Sequence, residues 1–281
     1  MPVPMNGRPL AVSAVATLTG LIAAGIAAAG WLAHRPPEEV RTLDAVLRRL
    51  SHGNDLGPHP LTFMVGSGTY TAQLAAQRGL CKPDQCDLFA QLNPYRHYGN
   101  GWDELMRQGY ALGDIQGWSA SSGTVVIPRA AFRAYGQRVG YLACTVAHEI
   151  AHIRRHHIFQ QSYHLHHNLH GQNKKAKKLG EMKRSRELEL EADRDAATML
   201  ARAGYPARIC QHELAFMARS VGDGSITEPD STHPGYEERL AAMRAHYDAM
   251  EKQPPAAEPS TRISTSYSRT DNLLTLTPQP R

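Results

Sequence analysis

Strong charge of one sign is missing from this chain. Lys and Arg number 31 against 26 Asp and Glu, a formal net charge of +5. That surplus is small and dispersed, and no RNA- or DNA-binding motif accompanies it, so a nucleic-acid partner is excluded. Cysteine is scarce too, with four residues, Cys81, Cys86, Cys144 and Cys210. None lies at the spacing of a zinc knuckle. Charge is absent altogether between residues 10 and 33, a run rich in Ala, Leu, Ile and Val. No internal repeat is present.

The uncharged run is long enough to cross a bilayer core as one helix. Arg8 precedes it and Arg35 follows. A cleaved signal peptide would use the small residues Ala27, Ala28 and Ala29 near its exit. The run is longer than a usual signal core, which favours an uncleaved signal anchor. The positive-inside rule applied to Arg35, Arg41, Arg48 and Arg49 keeps the following domain cytoplasmic, whereas the short tail with Arg8 favours its export. No cysteine near the span indicates a lipoprotein anchor. The expectation is a cell-envelope protein, membrane-anchored or periplasmic, with membrane association through residues 10–33.

Five residues carry the chemistry. His148, Glu149, Ile150, Ala151 and His152 spell HEIAH. On a helix, positions i and i+4 share a face, so His148 and His152 can hold one metal ion. Glu149 then sits beside the ion, where it can take a proton from water. Apolar residues at Val139, Leu142, Val146, Ile150 and Ile153 step by three or four, the period of a helix with one buried stripe. Neither Pro nor Gly interrupts residues 141–159. A catalytic zinc site takes three protein ligands and leaves a position for water, so a third ligand is required. The segment from Arg184 to Pro206 is also helical in pattern, with Leu188, Ala192, Ala196, Met199 and Leu200 as its stripe and Gly204 as its stop. Glu189 and Asp193 share one face of it. Glu189 is the expected third ligand, and Asp193 the acceptor for the free N–H of a ligating histidine. Taken alone, the acidic positions 187–193 would read as a solvated face.

The order of HEIAH, then ELEAD, then STHPGYEERLAAM resembles the metallopeptidase family of HtpX-like membrane proteases and CAAX prenyl proteases, family forty-eight of gluzincin type. The resemblance spans residues 131–243. It implies zinc held by His148, His152 and Glu189, Glu149 as general base, Asp193 supporting a ligand, and His233 with Pro234 as a His-Pro motif followed by Arg239. His157 matches a histidine common after the family's HExxH. It also implies an α+β, mainly helical fold: a zincin-type domain with an active-site helix and a small sheet whose edge strand pairs with substrate. By resemblance and position that edge is residues 124–127. His233, ahead of a helix with Tyr236, Leu240 and Met243 in register, is expected either to stabilise an oxyanion or to block the zinc in a resting state.

The implied function is a zinc endopeptidase acting on unfolded or membrane-associated polypeptides. The alternative is a peptide-binding or chaperone-like protein with a structural zinc, and an intact Glu149 favours the enzyme. The expected organisation is an N-terminal signal or anchor over 1–35, the peptidase domain over 36–250 and a disordered tail over 251–281, rich in Pro, Ser and Thr. Helices are expected over residues 37–50, 70–78 and 102–110, and strands over 61–65 and 124–127. Residues 156–183, with six His and several Lys, read as a mobile loop or lid. Cys81 and Cys86 flank a turn-prone KPDQ and are expected to form a disulfide; Cys144 reads as a small buried residue, and Cys210 pairs with it or stays free.

Overall fold

In a computed structural model of the chain, residues 35–82, 85, 93–97, 99, 101–113, 115–221 and 224–279 are described. The unit from Glu38 onward contains nine helices and five strands among these residues. The expected span over residues 10–33 lies outside them. Among the described residues no helix is long and apolar enough to cross a membrane.

The chain enters through α1 (Glu38–Leu50), whose Val40, Leu43, Val46, Leu47 and Leu50 are buried at helical spacing. Acidic residues open it and arginines close it, in line with the helix dipole. Then follow β1 (Leu61–Gly66), α2 (Gly68–Gln77), α3 (Trp102–Leu112), β2 (Trp118–Ser119), β3 (Thr124–Pro128) and α4 (Arg129–Tyr135). α5 (Val139–Arg154) carries HEIAH. α6 (His157–Tyr163) and a π-helical turn (His164–Asn168) lead to α7 (Lys174–Arg202), α8 (Ile209–Val221), α9 (Tyr236–Lys252) and the strands β4 (Ile263–Ser268) and β5 (Leu273–Pro278). The fold is α+β and mainly helical, as expected.

One mixed sheet runs in the order β2-β3-β1-β5-β4. β1 and β3 are parallel, with Phe63 opposite Val125 and Val65 opposite Ile127. These four side chains are buried in the same core as the stripe of α1 and the inner face of α5. Phe63, Val65, Val125 and Ile127 alternate along their strands, as the period of two requires. The helix α5 packs along α7. Ala143, Val146, Ala147, Ile150, Ala196, Ala197, Met199 and Leu200 all contribute to that core, and the alanines let the two helices approach closely.

Four expectations are corrected. First, β3 is interior: β2 covers it on one side and β1 on the other, so the edge beside α5 is β2. Two residues ahead of a turn carry too little periodicity to be read as a strand. Second, the expected disordered tail over 251–281 holds two strands among its described residues. Its strands β4 and β5 pair along their length, and β5 adds antiparallel to β1 with Leu274 and Leu276 buried. Thr and Ser suit a half-exposed strand surface, and alternate leucines supply the buried face. The approach to the hairpin is also tied down, because the Glu258 amide bonds the Gly53 carbonyl and Arg202 pairs with the Glu258 carboxylate at 2.6 Å. The folded unit therefore runs well past residue 250. Third, much of 156–183 is helical and carries no long loop. Asn173 caps α7 by accepting from the Ala176 amide at 2.9 Å. Fourth, the run 141–159 is two helices. His156 adopts φ 55, a left-handed turn that ends α5 and redirects α6.

Cys144 and Cys210 form a disulfide that joins α5 to α8, with Cα atoms 5.5 Å apart. Of the two fates left open for Cys210, pairing with Cys144 is the one found, and Cys144 is buried as expected, 3 % exposed. Cys81 is disulfide-bonded, and Cys86, its expected partner, lies outside the described residues.

Candidate metal centre

Three elements bring the expected ligands together. α5 presents His148 and His152 one turn apart, and Glu189 reaches them from α7. One ligand atom from each of the three residues lies within 4.8 Å of the others. The His148 and His152 Nε2 atoms are 3.0 Å apart. Glu189 Oε2 is 3.2 Å from His148 Nε2, and Glu189 Oε1 is 3.4 Å from His152 Nε2. The edge of a zinc coordination tetrahedron with bonds of ~2.0–2.1 Å is ~3.3 Å. The donor set is therefore close enough together to hold a metal ion. The donor chemistry agrees, since two imidazole nitrogens facing each other at 3.0 Å need a proton or a cation between them.

Their surroundings push the two rings in opposite directions. Burial works against a charge on His148, but hydrogen bonds with Asp193 and Glu189 and their charges raise it to about 10. Burial and the neighbouring His148 charge lower His152 to about 3. Burial works against the Glu189 charge, but His148 overrides it and lowers the carboxyl to about 2.

The supporting residues follow from the same geometry. With a metal on Nε2, each ring keeps its proton on Nδ1. His148 Nδ1 then donates to Asp193 Oδ1 at 3.0 Å. His152 Nδ1 donates to His157 Nδ1 at 2.9 Å. The left-handed turn at His156 sets His157 in that position, 2 % exposed. Asp193 is held by two hydrogen bonds from Arg239 on α9, at 2.7 and 2.8 Å. Burial opposes the Asp193 charge, and Arg239 more than offsets it, so the carboxyl is held well below the usual range. Arg239 is correspondingly held far above its ordinary value by Asp193 against the pull of burial.

Glu149 is buried on the β2 side of α5. Burial raises its carboxyl, and the Ser119 side chain hydrogen-bonds it. Gly117 explains how the strand comes so near. A Cβ there would stand 3.1 Å from Ile127 and Thr145 side-chain carbons and 3.3 Å from the Glu149 Cγ. His233 joins the site from the loop before α9. Its Nε2 is 3.6 Å from Glu189 Oε1, and its side chain is half exposed. Arg186 on α7 pins that loop by donating to the Pro229 and Ser231 carbonyls at 2.9 and 2.8 Å.

Gly117, Ser119, Thr145 and Arg239 line one cleft of about 250 Å³ together with the expected site residues. His148, Glu149, His152, Glu189, Asp193 and His233, the residues expected from sequence, all meet there. Sequence reading missed the β2 edge with Gly117 and Ser119. It also missed Glu213, a carboxylate on α8 that opens to the same cleft and sits 7 % exposed. The signal for Glu213 was a lone acidic residue in an otherwise apolar stretch, with Leu214, Phe216 and Met217 beside it.

No protein-family model matches the chain, and no curated protein or solved structure matches it either.

Proposed function

We propose that this protein is a zinc-dependent endopeptidase of zincin type, the activity implied by the motif order it resembles. The observation that supports it most is the meeting of His148, His152 and Glu189 within 4.8 Å, with the buried acid Glu149 beside them in one cleft. A metal site that served structure alone would have no use for a buried carboxyl at its mouth. Zinc held by the three ligands would polarise a scissile carbonyl and lower the pKa of water toward ~7.

The chain's own residues supply the rest. Burial raises the Glu149 carboxyl, which suits it to accept a proton from water and return it to the leaving amine. Ser119 holds that carboxyl in place. The edge strand β2 offers an extended partner for a substrate backbone alongside α5. His233, at the cleft rim, donates to the oxyanion that develops on the carbonyl. Asp193 and His157 fix the ring orientations, and Arg239 fixes Asp193. The substrates are unfolded or membrane-associated polypeptides. The Cys144–Cys210 disulfide supports folding in an oxidising compartment of the cell envelope.

The test is hydrolysis of unfolded casein by purified protein with and without a zinc chelator, alongside Glu149→Gln and Glu189→Ala. About one zinc per chain is expected, lost in Glu189→Ala. Glu149→Gln should keep the zinc and lose hydrolysis by ~100-fold or more. Zinc-loaded protein that cleaves no polypeptide overturns the reading, and full turnover by Glu149→Gln overturns the base.

A further inference from the structure

Glu213 takes no part in that chemistry, yet it faces the cleft from α8. Among the described residues its one hydrogen bond comes from the Tyr135 hydroxyl, which donates to Oε1 at 2.7 Å. Tyr135 also lies 3.0 Å from the Thr145 hydroxyl, so the carboxylate is anchored toward the Thr145 end of α5. The buried cation Arg239 directs its two hydrogen bonds to Asp193 and none to Glu213. The remaining carboxylate oxygen has no donor among the described residues. Glu213 therefore brings to the cleft a carboxylate with capacity left to accept from a ligand's donor.

The surroundings suit a particular visitor. Leu214, Met217, Ala196, Met243 and the Cys144–Cys210 disulfide line the same cleft as Glu213 and are apolar. Apolar walls beside one carboxylate match a lysine or arginine side chain, which buries an aliphatic stem and keeps a charged head. The placement fits a side chain close to the reacting bond. Thr145 lies one helical step before Glu149 on the same face of α5, ~6 Å along the axis. A substrate residue advances ~3.3 Å along an extended backbone, so a neighbour of the scissile bond can reach across that gap.

We propose that Glu213 is the charged floor of a subsite that takes a lysine or arginine side chain flanking the scissile bond. This rests on the endopeptidase reading and adds the substrate class that the reading leaves open. Burial lifts the Glu213 carboxyl to about 7, and a bound cation would bring it back to the charged form.

The experiment profiles cleavage of an acetylated, amidated peptide library by mass spectrometry, with zinc-loaded parent protein and Glu213→Gln. The parent should cut next to Lys or Arg over norleucine by about tenfold or more, and that ratio should collapse in Glu213→Gln. Gln can still accept from Tyr135, and a single cooperative melting transition no lower than the parent's shows that the fold is intact. Glu213→Leu, which replaces the carboxylate by an apolar side chain, must lose the same preference. A second arm does not depend on turnover: ligand-observed NMR compares N-acetyl-lysinamide with N-acetyl-norleucinamide on parent and Glu213→Gln proteins. Selective binding of the lysine amide, lost in the variant, is expected. Cleavage with no basic preference, or a preference that survives Glu213→Gln, overturns the subsite and leaves the peptidase standing. If no peptide is cut, the peptidase reading falls, and the subsite is then upheld by selective lysinamide binding or overturned by its absence.

Discussion

Replacing Arg239 by Met tests the framework of the metal centre without touching a ligand. The guanidinium makes two hydrogen bonds to Asp193, at 2.7 and 2.8 Å, and both side chains are largely buried, 15 % and 7 % exposed. Met fills a similar volume, so the change removes charge and donors while leaving little void. Removing one partner of a buried pair costs ~3–5 kcal/mol, because the other charge is left without compensation. Asp193 keeps the His148 Nδ1 contact at 3.0 Å, which places the expected loss at the lower end, about 3 kcal/mol. In a chain of this size that lowers the melting temperature by ~6–12 °C. The pH dependence has a definite sign. Arg239 holds Asp193 below its unfolded value, so the pair's contribution is present above the ordinary carboxylate range and fades as pH falls through it. The gap between parent and Arg239→Met should therefore narrow in acid. Differential scanning calorimetry on metal-free protein at several pH values reads both effects. The double variant Arg239→Met with Asp193→Asn should recover most of the loss, since neither charge of the pair is left behind. A single variant within about 0.5 kcal/mol of the parent, the scatter of surface changes, would refute the argument, as would a double variant that shows the full sum of the two losses.

Three further outcomes are expected. His233→Ala should lower kcat by about 10²-fold with zinc content unchanged, if His233 donates to the oxyanion; higher basal proteolysis in the same variant would instead make it a block on the site, and Arg186→Ala should reproduce part of either effect by freeing the loop. Replacing both Cys144 and Cys210 by Ala opens a link between residues 66 apart, and the chain-entropy model puts the loss at ~4 kcal/mol, read by urea denaturation; an unaltered midpoint would show that the link adds nothing. Glu213 is raised from 4.5 to about 7, so the folded state binds more protons than the unfolded one across that window. Parent protein should then lose stability relative to Glu213→Gln as pH rises from 4.5 to 7, by at most ~1.4 kcal/mol per pH unit, and parallel stability curves would contradict it.

What the sequence made legible tracks how local the signal is. The ligand positions depend on helical spacing within α5 and α7, and an i,i+4 pair is written in the order of residues. α1, β1 and β3 were legible for the same reason, each carrying a whole stripe or a β-branched run between breakers. β2 was not. It is a strand because Val125 and Val126 offer partners, and nothing in Trp118 and Ser119 alone says so. The C-terminal hairpin failed through composition, since Ser and Thr suit both a solvated tail and a half-buried strand. Only the place beside β1 decides between them. The Cys144–Cys210 link is the same kind of case, because a pairing 66 residues apart has no local signature.

The centre itself shows why residues outside HEIAH matter as much as that motif. HEIAH supplies imidazoles but does not orient them. His148 is oriented by Asp193, which Arg239 holds from α9, and His152 is oriented by His157, which the turn at His156 brings back toward α5. Each ring is therefore tied to a different element, one through α7 and α9, the other through α6. A change that shifts α9 moves one ligand and leaves the other in place. Since the two Nε2 atoms must stay near 3 Å apart to share a cation, such a shift would weaken metal binding before it disrupts the core. Arg239→Met should accordingly lower zinc affinity by ~10–100-fold even where the fold persists. Competition with a chelator of known affinity measures this, and zinc affinity equal to the parent's would mean that Asp193 orients His148 without help from Arg239.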